Sequence, residues 1–542
     1  MGSKGDAHGD TENGKQEIPL RTPDHFTTAA GAKDSAAAFT GDRLSSLDNM
    51  FLLSESGCTH MHVAVTAIFE SGPLTSRRGG IDHQRIRRYI DSRLHLIPRY
   101  RQRLAHFPLA GRPRWVDDDH FDLDYHVRHV GLPRPGSGRQ LQWLVGSLKS
   151  QPLDRRKPLW ETWIVEGLDN GRFALVTKAH HCMVDGMSGA ALLEVLLQPE
   201  PAALPADAPP FLPRPLPPPI AILRDEMTRR LHAPLALASR LVRAPARVLQ
   251  EAGHGLAAVA GLLPAGLHRA SATPLNGPIG PHRRFDWLTM DLAAVKEIKN
   301  RLGGTVNDVV LATVTGAVRR FLLRRGVNVA GLDFRALVPV SMRRAAERET
   351  LGNRVAAWIV RLPIGEPDPR RRLAAVCEAT LALKQSNQAA GTEILTAVSE
   401  WTGSALVSAA IQLAFLARPF NLVVTNVPGP QFPLYLLGAR MLAVYPQVPL
   451  FTNQNLGVAL FSYAGHLYWG FNADRDRMPD LHDFVHAVQS SFAELQRGAR
   501  PTWNARRPCA PPGRGERAEA PAASILAANA GGPRSSPRPS SG

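Results

Sequence analysis

The sequence predicts a two-domain α/β protein, and three observations lead to this prediction. Strand-like and helix-like patterns alternate in two long blocks, residues 41–198 and 276–497. A proline-rich stretch separates the blocks, and neither block contains a GxGxxG or P-loop motif. Blocks that mix strands and helices in this way favour a two-domain α/β sandwich over a nucleotide-binding fold.

The size and charge of the chain limit the kinds of function it can have. Its 542 residues suffice for two hydrophobic cores, since a single core stops growing at roughly 250–300 residues. The formal net charge of +17 favours an anionic partner, such as a phosphorylated substrate or an anionic lipid surface. Groove-reading helices and aromatic–basic strand motifs are missing from the sequence, so we expect no nucleic-acid partner. Four scattered cysteines (Cys58, Cys182, Cys377 and Cys509) suggest neither a disulfide framework nor a CxxC metal site.

Both ends of the chain have the composition of disordered segments. Residues 1–40 are polar and of mixed charge, and residues 498–542 are rich in Pro, Gly, Ala, Ser and Arg. The sequence shows neither an apolar signal region nor an uninterrupted apolar run of about 18–20 residues. We therefore expect a disordered leader and tail, no signal peptide and no transmembrane helix.

The first block contains three strand-like runs and one amphipathic helix. The strand-like runs are MHVAVTAIFE, WETWIVEGL and RFALVTKAHH. The segment IDHQRIRRYIDSRLHLI predicts a helix with a basic outer face, because its apolar residues recur at helical spacing. Those apolar residues are Ile81, Ile86, Tyr89, Ile90 and Leu94.

Residues 199–275 are predicted to form a linker followed by connecting helices. Ten of the 21 residues from Pro199 to Pro219 are proline, which gives an extended, semi-rigid segment. A helix-like run with arginines among leucines and alanines follows. It is either a connecting helix packed on the body of the protein or a basic amphipathic face that rests on lipid.

The second block alternates helices with buried strands. GTVNDVVLATVTGAVRRFLLRRG predicts a helix capped by Thr305 or Asn307. FRALVPVSMR, RVAAWIVRLPI and FNLVVTNVPGP predict buried strands, and a hairpin should turn at Ala464-Gly465. LHDFVHAVQSSFAELQR predicts the closing helix of the block.

The segment HHCMVDG is the strongest candidate for a functional site. RFALVTKA alternates as a strand that ends at His180-His181, and adjacent strand side chains point to opposite faces. The two histidines therefore cannot easily share a metal ion, although His, Cys and Asp are all metal ligands. Two other interpretations remain open: core histidines bonded to backbone, or a general base that titrates near neutrality.

The rest of the sequence narrows the chemistry that such a base could serve. A GxSxG nucleophile elbow is missing, which argues against an α/β-hydrolase. Cys182 should be a buried thiol rather than a nucleophile, because its neighbour His181 would occupy the cleft face. The remaining chemistry is direct acyl transfer, in which a histidine deprotonates a hydroxyl group and the hydroxyl oxygen attacks an activated acyl group. His180 and Asp185 also fit the H-x4-D pattern of glycerolipid acyltransferases, but the Phe-Pro-Glu-Gly-type motif of those proteins is not present.

HHCMVDGMSG resembles the HHxxxDG motif of the CoA-dependent acyltransferase superfamily, which includes chloramphenicol acetyltransferase and peptide condensation domains. Further segments resemble the bacterial wax ester synthase/diacylglycerol acyltransferase family and occur in order over about residues 42–496. These segments are LSSLDNMFLL, QPLDRRKPLWE, PLNGPIGPHRRF, TVNDVVLA, ALVPVSMR, LGNRV, NLVVTNVPGP and FSYAGHLYWGFNAD.

This resemblance implies a fold, a reaction and roles for individual residues. It implies two chloramphenicol-acetyltransferase-like domains that form a pseudo-dimer with an active-site tunnel between them. The donor would be acyl-CoA and the acceptor diacylglycerol or a fatty alcohol, with no cofactor and no metal. His181 would be the general base, His180 and Asp185 would support it, and Arg343 would be a partner for Asp185 by analogy.

Other residues are candidates for substrate binding or for shaping the site. Gly186 backbone or Ser188 could stabilise an oxyanion, although Ser188 is also a suitable helix N-cap. The remaining candidates have equally simple structural interpretations, namely a strand start, a tight turn or a helix cap. They are Pro158, Leu159, Trp160, Asn276, Asn307, Asp308 and Asn426.

Two other functions compete with this one. A condensation-type or polyketide-associated acyltransferase would take its acyl group from a carrier protein, and a degenerate homologue would bind lipid without catalysis. The intact motif and the wax-synthase-like segments favour the O-acyltransferase. We then expect a cytoplasmic protein that associates peripherally with the inner membrane or with lipid inclusions. The sequence does not indicate whether the protein is a monomer or an oligomer.

Overall fold

The computed structural model describes residues 41–77, 79–107, 111–183, 191–201, 208–243, 269–341, 355–385 and 419–500. The predicted leader (1–40), most of the predicted tail and part of the linker lie outside these residues. The described elements form a mixed α/β architecture with two six-stranded sheets and one small sheet.

The first large sheet carries the His-His segment. One edge strand of this sheet runs parallel to its neighbour, and all the other neighbouring strands of the sheet are antiparallel. In chain order its strands are β2 (His62–Glu70), β5 (Val127–Gly131), β6 (Trp160–Leu168), β7 (Arg172–His180), β12 (Tyr435–Leu436) and β13 (Ala439–Gln447). The spatial order is β12-β13-β2-β7-β6-β5.

The second large sheet is formed entirely from the second sequence block. In chain order its strands are β8 (Arg283–Asp291), β9 (Phe334–Ser341), β10 (Val355–Leu362), β11 (Leu422–Pro428), β14 (Leu456–Tyr463) and β15 (His466–Asp474). Their spatial order is β10-β9-β11-β14-β15-β8. The hairpin between β14 and β15 turns at Ala464 and Gly465, as predicted. Both residues have positive φ, 43° and 83°, which suits the turn of a two-residue hairpin.

A small sheet and ten helices complete the described fold. The small sheet has the order β1-β4-β3, with β1 (Asp42–Arg43), β3 (Gln102–Ala105) and β4 (Arg114–Asp117). The helices of the first block are α1 (Ser46–Leu53), α2 (His83–Arg93), α3 (Leu123–His126), α4 (Gly138–Ser150) and α5 (Ala191–Leu196). Those that follow are α6 (Pro219–Arg243), α7 (Leu292–Leu302), α8 (Val306–Arg324), α9 (Pro369–Gln385) and α10 (Leu481–Ala499).

The patterns in the sequence match these elements closely. The five apolar residues predicted to face inward around α2, from Ile81 to Leu94, are all buried. Thr305 caps α8 in a capping box with Asp308, so Thr305 rather than Asn307 is the cap. None of the described helices is long and apolar enough to cross a lipid bilayer.

The second sequence block contributes structure to the sheet and core of the first block. Strand β13 comes from the second block but pairs along β2, from Met441 opposite Phe69 to Gln447 opposite Ala64. The first hydrophobic core likewise includes Phe285, Tyr463 and Tyr468 from the second block. The proline-rich linker therefore divides the sequence, whereas the first large sheet and the first hydrophobic core extend across that division.

Candidate active site

The candidate site begins where β7 ends. His180 is the last residue of β7 and pairs with His62 of β2. The chain then leaves the sheet, because the His181 N–H donates to the carbonyl of Met61 over 2.7 Å and residues His181–Met183 form a 3₁₀ turn. The strand end predicted from the alternating pattern is thus the point at which the two histidines acquire different surroundings.

The two nitrogens of the His180 ring have different neighbours. The backbone N–H of Cys182 donates to His180 Nδ1 over 3.1 Å. Nδ1 is therefore the acceptor, and the neutral ring carries its proton on Nε2, which lies 3.2 Å from Glu55 Oε1. Since His180 is 1% exposed, it braces the turn from inside the protein rather than facing a substrate.

Glu55 connects this ring to the chain segments around it. Its Oε1 accepts the backbone N–H of Met61 at 2.8 Å, and its Oε2 lies 2.5 Å from Arg155 Nη2. Burial alone would raise the pKa of Glu55, but the interactions with His180, Arg155 and Met61 outweigh it and lower the pKa to about 2. The carboxylate is therefore ionised at neutral pH and fixes the position of His180.

His181 begins the turn, and its ring lies against an aromatic side chain of another helix. Its ring stacks on Phe51 of α1 with 3.8 Å between the ring centroids and 19° between the planes. Burial lowers the pKa of His181 to about 4, and an interaction with the residue's own backbone opposes this effect. The imidazole is therefore neutral near pH 7 and can accept a proton, while the residue as a whole is only half-buried.

Cys182 lies in a small apolar cluster beneath the turn. The cluster contains residues of α1 and of the small sheet, among them Leu52, Leu104 and Trp115. Burial raises the pKa of the Cys182 thiol well above its usual value, so the reactive thiolate is disfavoured. The prediction of a buried, unreactive thiol is confirmed.

Buried basic side chains lie close to the start of β2, the strand that pairs with the histidine end of β7. Lys149 of α4 is fully buried, and its Nζ donates to the carbonyl of His62. Burial lowers the pKa of Lys149 well below its usual value, and it lowers the pKa of Lys178, which lies 3.3 Å from Glu161. Arg283 of β8 reaches the same region from the second block and donates to the carbonyl of Cys58.

The predicted residues Pro158, Leu159 and Trp160 support the histidine turn. All three are buried, and the carbonyl of Leu159 accepts the N–H of His180 at 2.9 Å. Trp160 begins β6, donates from Nε1 to the carbonyl of Tyr100 and stacks on the ring of His126. These contacts match the interpretation of this segment as the start of a core strand.

The candidates of the second block have structural partners of their own. Asn276 donates to the carbonyls of Asn421 and Asn453, at 3.0 and 3.1 Å, and so ties a turn to two loops. The buried carboxylate of Asp308 accepts from Thr380 Oγ1 at 2.7 Å in addition to closing the capping box. Asn307 lies half-buried in the first turn of α8, and Asn426 lies half-buried on β11. In the described residues, no hydrogen bond joins these side chains to the histidine turn.

Four predicted residues lie outside the described part of the chain. They are Asp185, Gly186, Ser188 and Arg343. Their proposed roles remain predictions from the motif.

Sequence reasoning missed Glu55 and Phe51, which contact the two histidines directly. They lie more than a hundred residues before the His-His pair, so no local spacing connects them to it. Pairing of β2 with β7 brings the two segments together. The sequence did carry one signal for Phe51, which lies in the family-like segment LSSLDNMFLL, and Glu55 follows that segment shortly before a strand.

Comparison with known proteins places this arrangement in a family. Residues 44–310 match the family described as the wax ester synthase/diacylglycerol acyltransferase catalytic domain, and residues 351–496 match the WS/DGAT C-terminal domain. A Mycobacterium tuberculosis (strain H37Rv) protein named "Probable diacyglycerol O-acyltransferase tgs1" is 32% identical over 470 residues, which cover 84% of this chain and 96% of that protein. The chain belongs to the wax ester synthase/diacylglycerol acyltransferase family. It is an acyltransferase, and the resemblance found in the sequence is confirmed.

Solved structures agree with the family and with the fold. The wax ester synthase/diacylglycerol acyltransferase from Marinobacter aquaeolei VT8 has a TM-score of 0.58 and 27% identity, with 84% of this chain and 99% of that chain covered. The first condensation domain of the CDA synthetase has a TM-score of 0.52 at 17% identity, over 86% of this chain and 98% of that one. The second likeness concerns the fold alone. The predicted two-domain α/β class, of the kind shared with condensation domains, is confirmed.

Proposed function

We propose that this acyltransferase moves a fatty acyl group from acyl-CoA to the hydroxyl of diacylglycerol or of a long-chain alcohol, with His181 as the general base. The observation that carries the proposal is the state of the His181 ring. It is neutral at working pH, stacked on Phe51 and positioned by a turn at the end of a buried strand. Membership of the family supplies the donor and acceptor classes.

The reaction we propose needs no covalent intermediate on the protein. His181 takes the proton of the acceptor hydroxyl as that oxygen attacks the thioester carbonyl carbon. The tetrahedral oxyanion then collapses, the carbon–sulfur bond breaks, and the CoA thiolate recovers the proton from the imidazolium. The products are an ester and free CoA. Cys182 is a poor alternative nucleophile, because its thiol is buried and its pKa is raised.

We assign His180 and Glu55 to positioning rather than to proton transfer. His180 is enclosed between the Cys182 N–H and the Glu55 carboxylate, which leaves neither ring nitrogen for a substrate. Asp185 keeps the supporting role that the motif implies, although it lies outside the described residues.

A cavity at the seam between the two sequence blocks, lined mainly by aliphatic and aromatic residues together with Arg172, Thr289 and His466, is a suitable place for a long alkyl chain. Its volume is about 460 Å³, and its walls include Ile68, Leu141, Trp287, Tyr445 and Tyr468. Ile68 lies six residues along β2 from His62, about 20 Å at the rise of a strand, which is the scale of a long fatty chain. Replacing Leu141 with Trp should shift the preferred substrate towards shorter chains, and an unchanged chain-length profile would exclude this placement.

The chemical proposal is tested with purified protein and labelled palmitoyl-CoA. Hexadecanol and dioleoylglycerol are supplied as acceptors in separate reactions, and the lipid products are resolved. We expect ester with at least one acceptor, a loss of about 10²–10⁴ in rate for His181→Ala, and retained activity for Cys182→Ala. Absence of ester with both acceptors would exclude the function, and full activity of a folded His181→Ala variant would exclude the base.

We also propose that the segment around α6 contacts the lipid surface that supplies the acceptor. Of the ten large hydrophobic residues that are exposed in the described part of the chain, five lie within residues 212–231. These five are Leu212, Leu216, Ile220, Met227 and Leu231. Exposed apolar groups concentrated in one segment, next to arginines, are typical of interfacial contact.

Helix α6 is compatible with both alternatives that the sequence left open, a connecting helix packed on the body of the protein and an amphipathic face that rests on lipid. Its inner face packs on the protein through Ile222 and Glu226, which are 1% and 3% exposed. Ile220, Met227 and Leu231 follow the i, i+7, i+11 spacing and so share the opposite face. Arg229 and Arg230 bind Glu226, at 2.6 and 3.0 Å, so they stabilise the helix besides any contact with lipid.

Flotation with liposomes containing anionic lipid tests whether the protein binds lipid through α6 or nonspecifically through any exposed apolar residue. A variant with Ile220, Met227 and Leu231 changed to Gln should lose most of its binding. The matched control changes Leu323 and Leu381 to Gln, because these leucines are similarly exposed, at 47% and 54%, on other helices. Equal binding by both variants would exclude α6 as the contact.

A further inference from the structure

Two histidines on the closing helix face each other in an unusual way. His482 and His486 are separated by one turn of α10, and both are exposed. Their Nε2 atoms lie 3.1 Å apart, and their ring centroids are 4.5 Å apart with 73° between the planes. The pair lies on α10 of the second block and makes no contact with the histidine turn at His181.

The outer nitrogen of each ring already has a partner. His482 Nδ1 lies 2.9 Å from Asp286 Oδ2, and His486 Nδ1 lies 3.0 Å from Gln489 Oε1. Both partners are oxygen acceptors, so each Nδ1 carries a proton. In the neutral rings, both Nε2 atoms then present lone pairs to each other at 3.1 Å. A proton on one of the two nitrogens, or a cation bound to both, satisfies a contact of this length.

We propose that His482 and His486 form a binding site for a late first-row divalent cation, Zn²⁺ or Cu²⁺. Neutral imidazole is a preferred ligand for these ions, and metal–nitrogen distances are about 2.0–2.1 Å. Nitrogens 3.1 Å apart at that radius subtend about 98° at the ion, between square and tetrahedral angles. No cluster of three or more His, Cys, Asp or Glu side chains in the described residues could hold a metal, so this site has two protein ligands and open positions for water.

The surrounding contacts match those of a metal-binding histidine. A ligating histidine commonly donates its other ring N–H to a carboxylate or amide oxygen, which fixes the ring and raises its basicity. Asp286 serves His482 in this way, and Gln489 serves His486. Asp286 also accepts from Gln142 of α4 at 2.7 Å, so a bound cation would connect α10, β8 and a helix of the first block. The expected consequence is stabilisation of this seam, separate from catalysis at His181.

Calorimetric titration of the full chain with Zn²⁺, after treatment with a chelator, tests the site. Wild-type protein should bind one ion that is lost in His482→Gln and in His486→Gln. Asp286→Asn should weaken binding by about 10- to 100-fold, because only the orientation of the ring is lost. His232→Gln is the matched control, since His232 is an exposed histidine on another helix, and it should bind as wild type.

Two further measurements keep the outcome independent of folding and of activity. Cu²⁺ bound to wild-type protein should show hyperfine coupling to two imidazole nitrogens, and this coupling should fall to one in either single variant. Zn²⁺ should raise the Tm of wild type but not of the double variant. No binding by wild type, or an unchanged isotherm in a double variant with native circular dichroism, would overturn the proposal.

Discussion

Replacement of Glu55 with Gln should loosen the histidine turn while preserving its shape. Gln keeps an oxygen that can accept the Met61 N–H but removes the charge that faces His180 and Arg155. The pKa of Glu55 is lowered from 4.5 to about 2, which corresponds to at most about 3 kcal/mol of folding free energy. Arg155 is 52% exposed, so part of that interaction is screened by solvent, and we expect a loss of about 1–3 kcal/mol.

The pH dependence of this loss has a definite sign. A carboxylate with a lowered pKa contributes its stability fully above the unfolded pKa of 4.5, and loses it as pH falls towards 2. The difference between wild type and Glu55→Gln should therefore be largest near pH 7 and smaller by about 1 kcal/mol at pH 4. Urea unfolding at pH 7, 5 and 4 measures that difference directly.

Activity separates the positioning role of Glu55 from simple stabilisation. A turn that holds its base less firmly should lower kcat by about 10- to 100-fold with little change in KM, because orientation rather than binding is lost. Glu494→Gln is the control. Like Glu55, this carboxylate has two basic partners, here Arg320 and Arg372, but it lies on α10. It should reduce stability and leave kcat unchanged. A stability difference that does not vary with pH, or full activity of Glu55→Gln, would refute the reasoning.

Three further substitutions test other parts of the site. Phe51→Ala should lower the free energy of unfolding in urea by about 3 kcal/mol. It should also raise the pKa of the acid limb of kcat/KM from about 4 towards 6.5, because water replaces the ring that covers His181. An acid limb with an unchanged pKa would contradict this explanation. Lys149→Met should raise the free energy of unfolding by about 1 kcal/mol at pH 7, because burial penalises the charged form of this lysine and methionine carries no charge to bury. Its advantage should shrink as the pH rises towards and above 10.5, the ordinary pKa of lysine, because only there is the wild-type side chain neutral in both the folded and the unfolded state. An advantage independent of pH would count against the assignment. Asp308→Ala should lower the Tm through loss of the capping box, and kcat should fall only in step with the folded fraction if Asp308 is purely structural.

The sequence predicts elements well where one local rule decides the outcome. The ends of β7, the Ala464-Gly465 hairpin and the capped start of α8 follow from alternation, turn geometry and capping chemistry, each readable within a few residues. The buried thiol of Cys182 follows in the same way, because its neighbour fixes the face on which it lies. The different surroundings of His180 and His181 are predicted from strand alternation, but the structure produces them in another way, because the strand ends at His180 and His181 begins a 3₁₀ turn.

The contacts that make the histidines useful could not be predicted in this way. Glu55 reaches His180 only because β2 pairs with β7 in a particular register, and nothing near residue 180 encodes that pairing. The same holds for Phe51, whose ring covers His181 from a separate helix. Such partners depend on non-local strand pairing, which a single sequence does not specify.

The strand that the second block adds to the first large sheet explains why the site belongs to the chain as a whole rather than to the first block. β13 of the second block covers the edge of β2, and β2 is the strand that positions His62 against His180. Arg283 of β8 then holds the loop before β2 through the carbonyl of Cys58, and Lys149 holds the first residue of β2 through its carbonyl. An uncovered β2 would expose a row of unpaired backbone groups beside the histidine turn. The second block carries no HHxxxDG motif, yet it completes the sheet on which the first block's histidines depend.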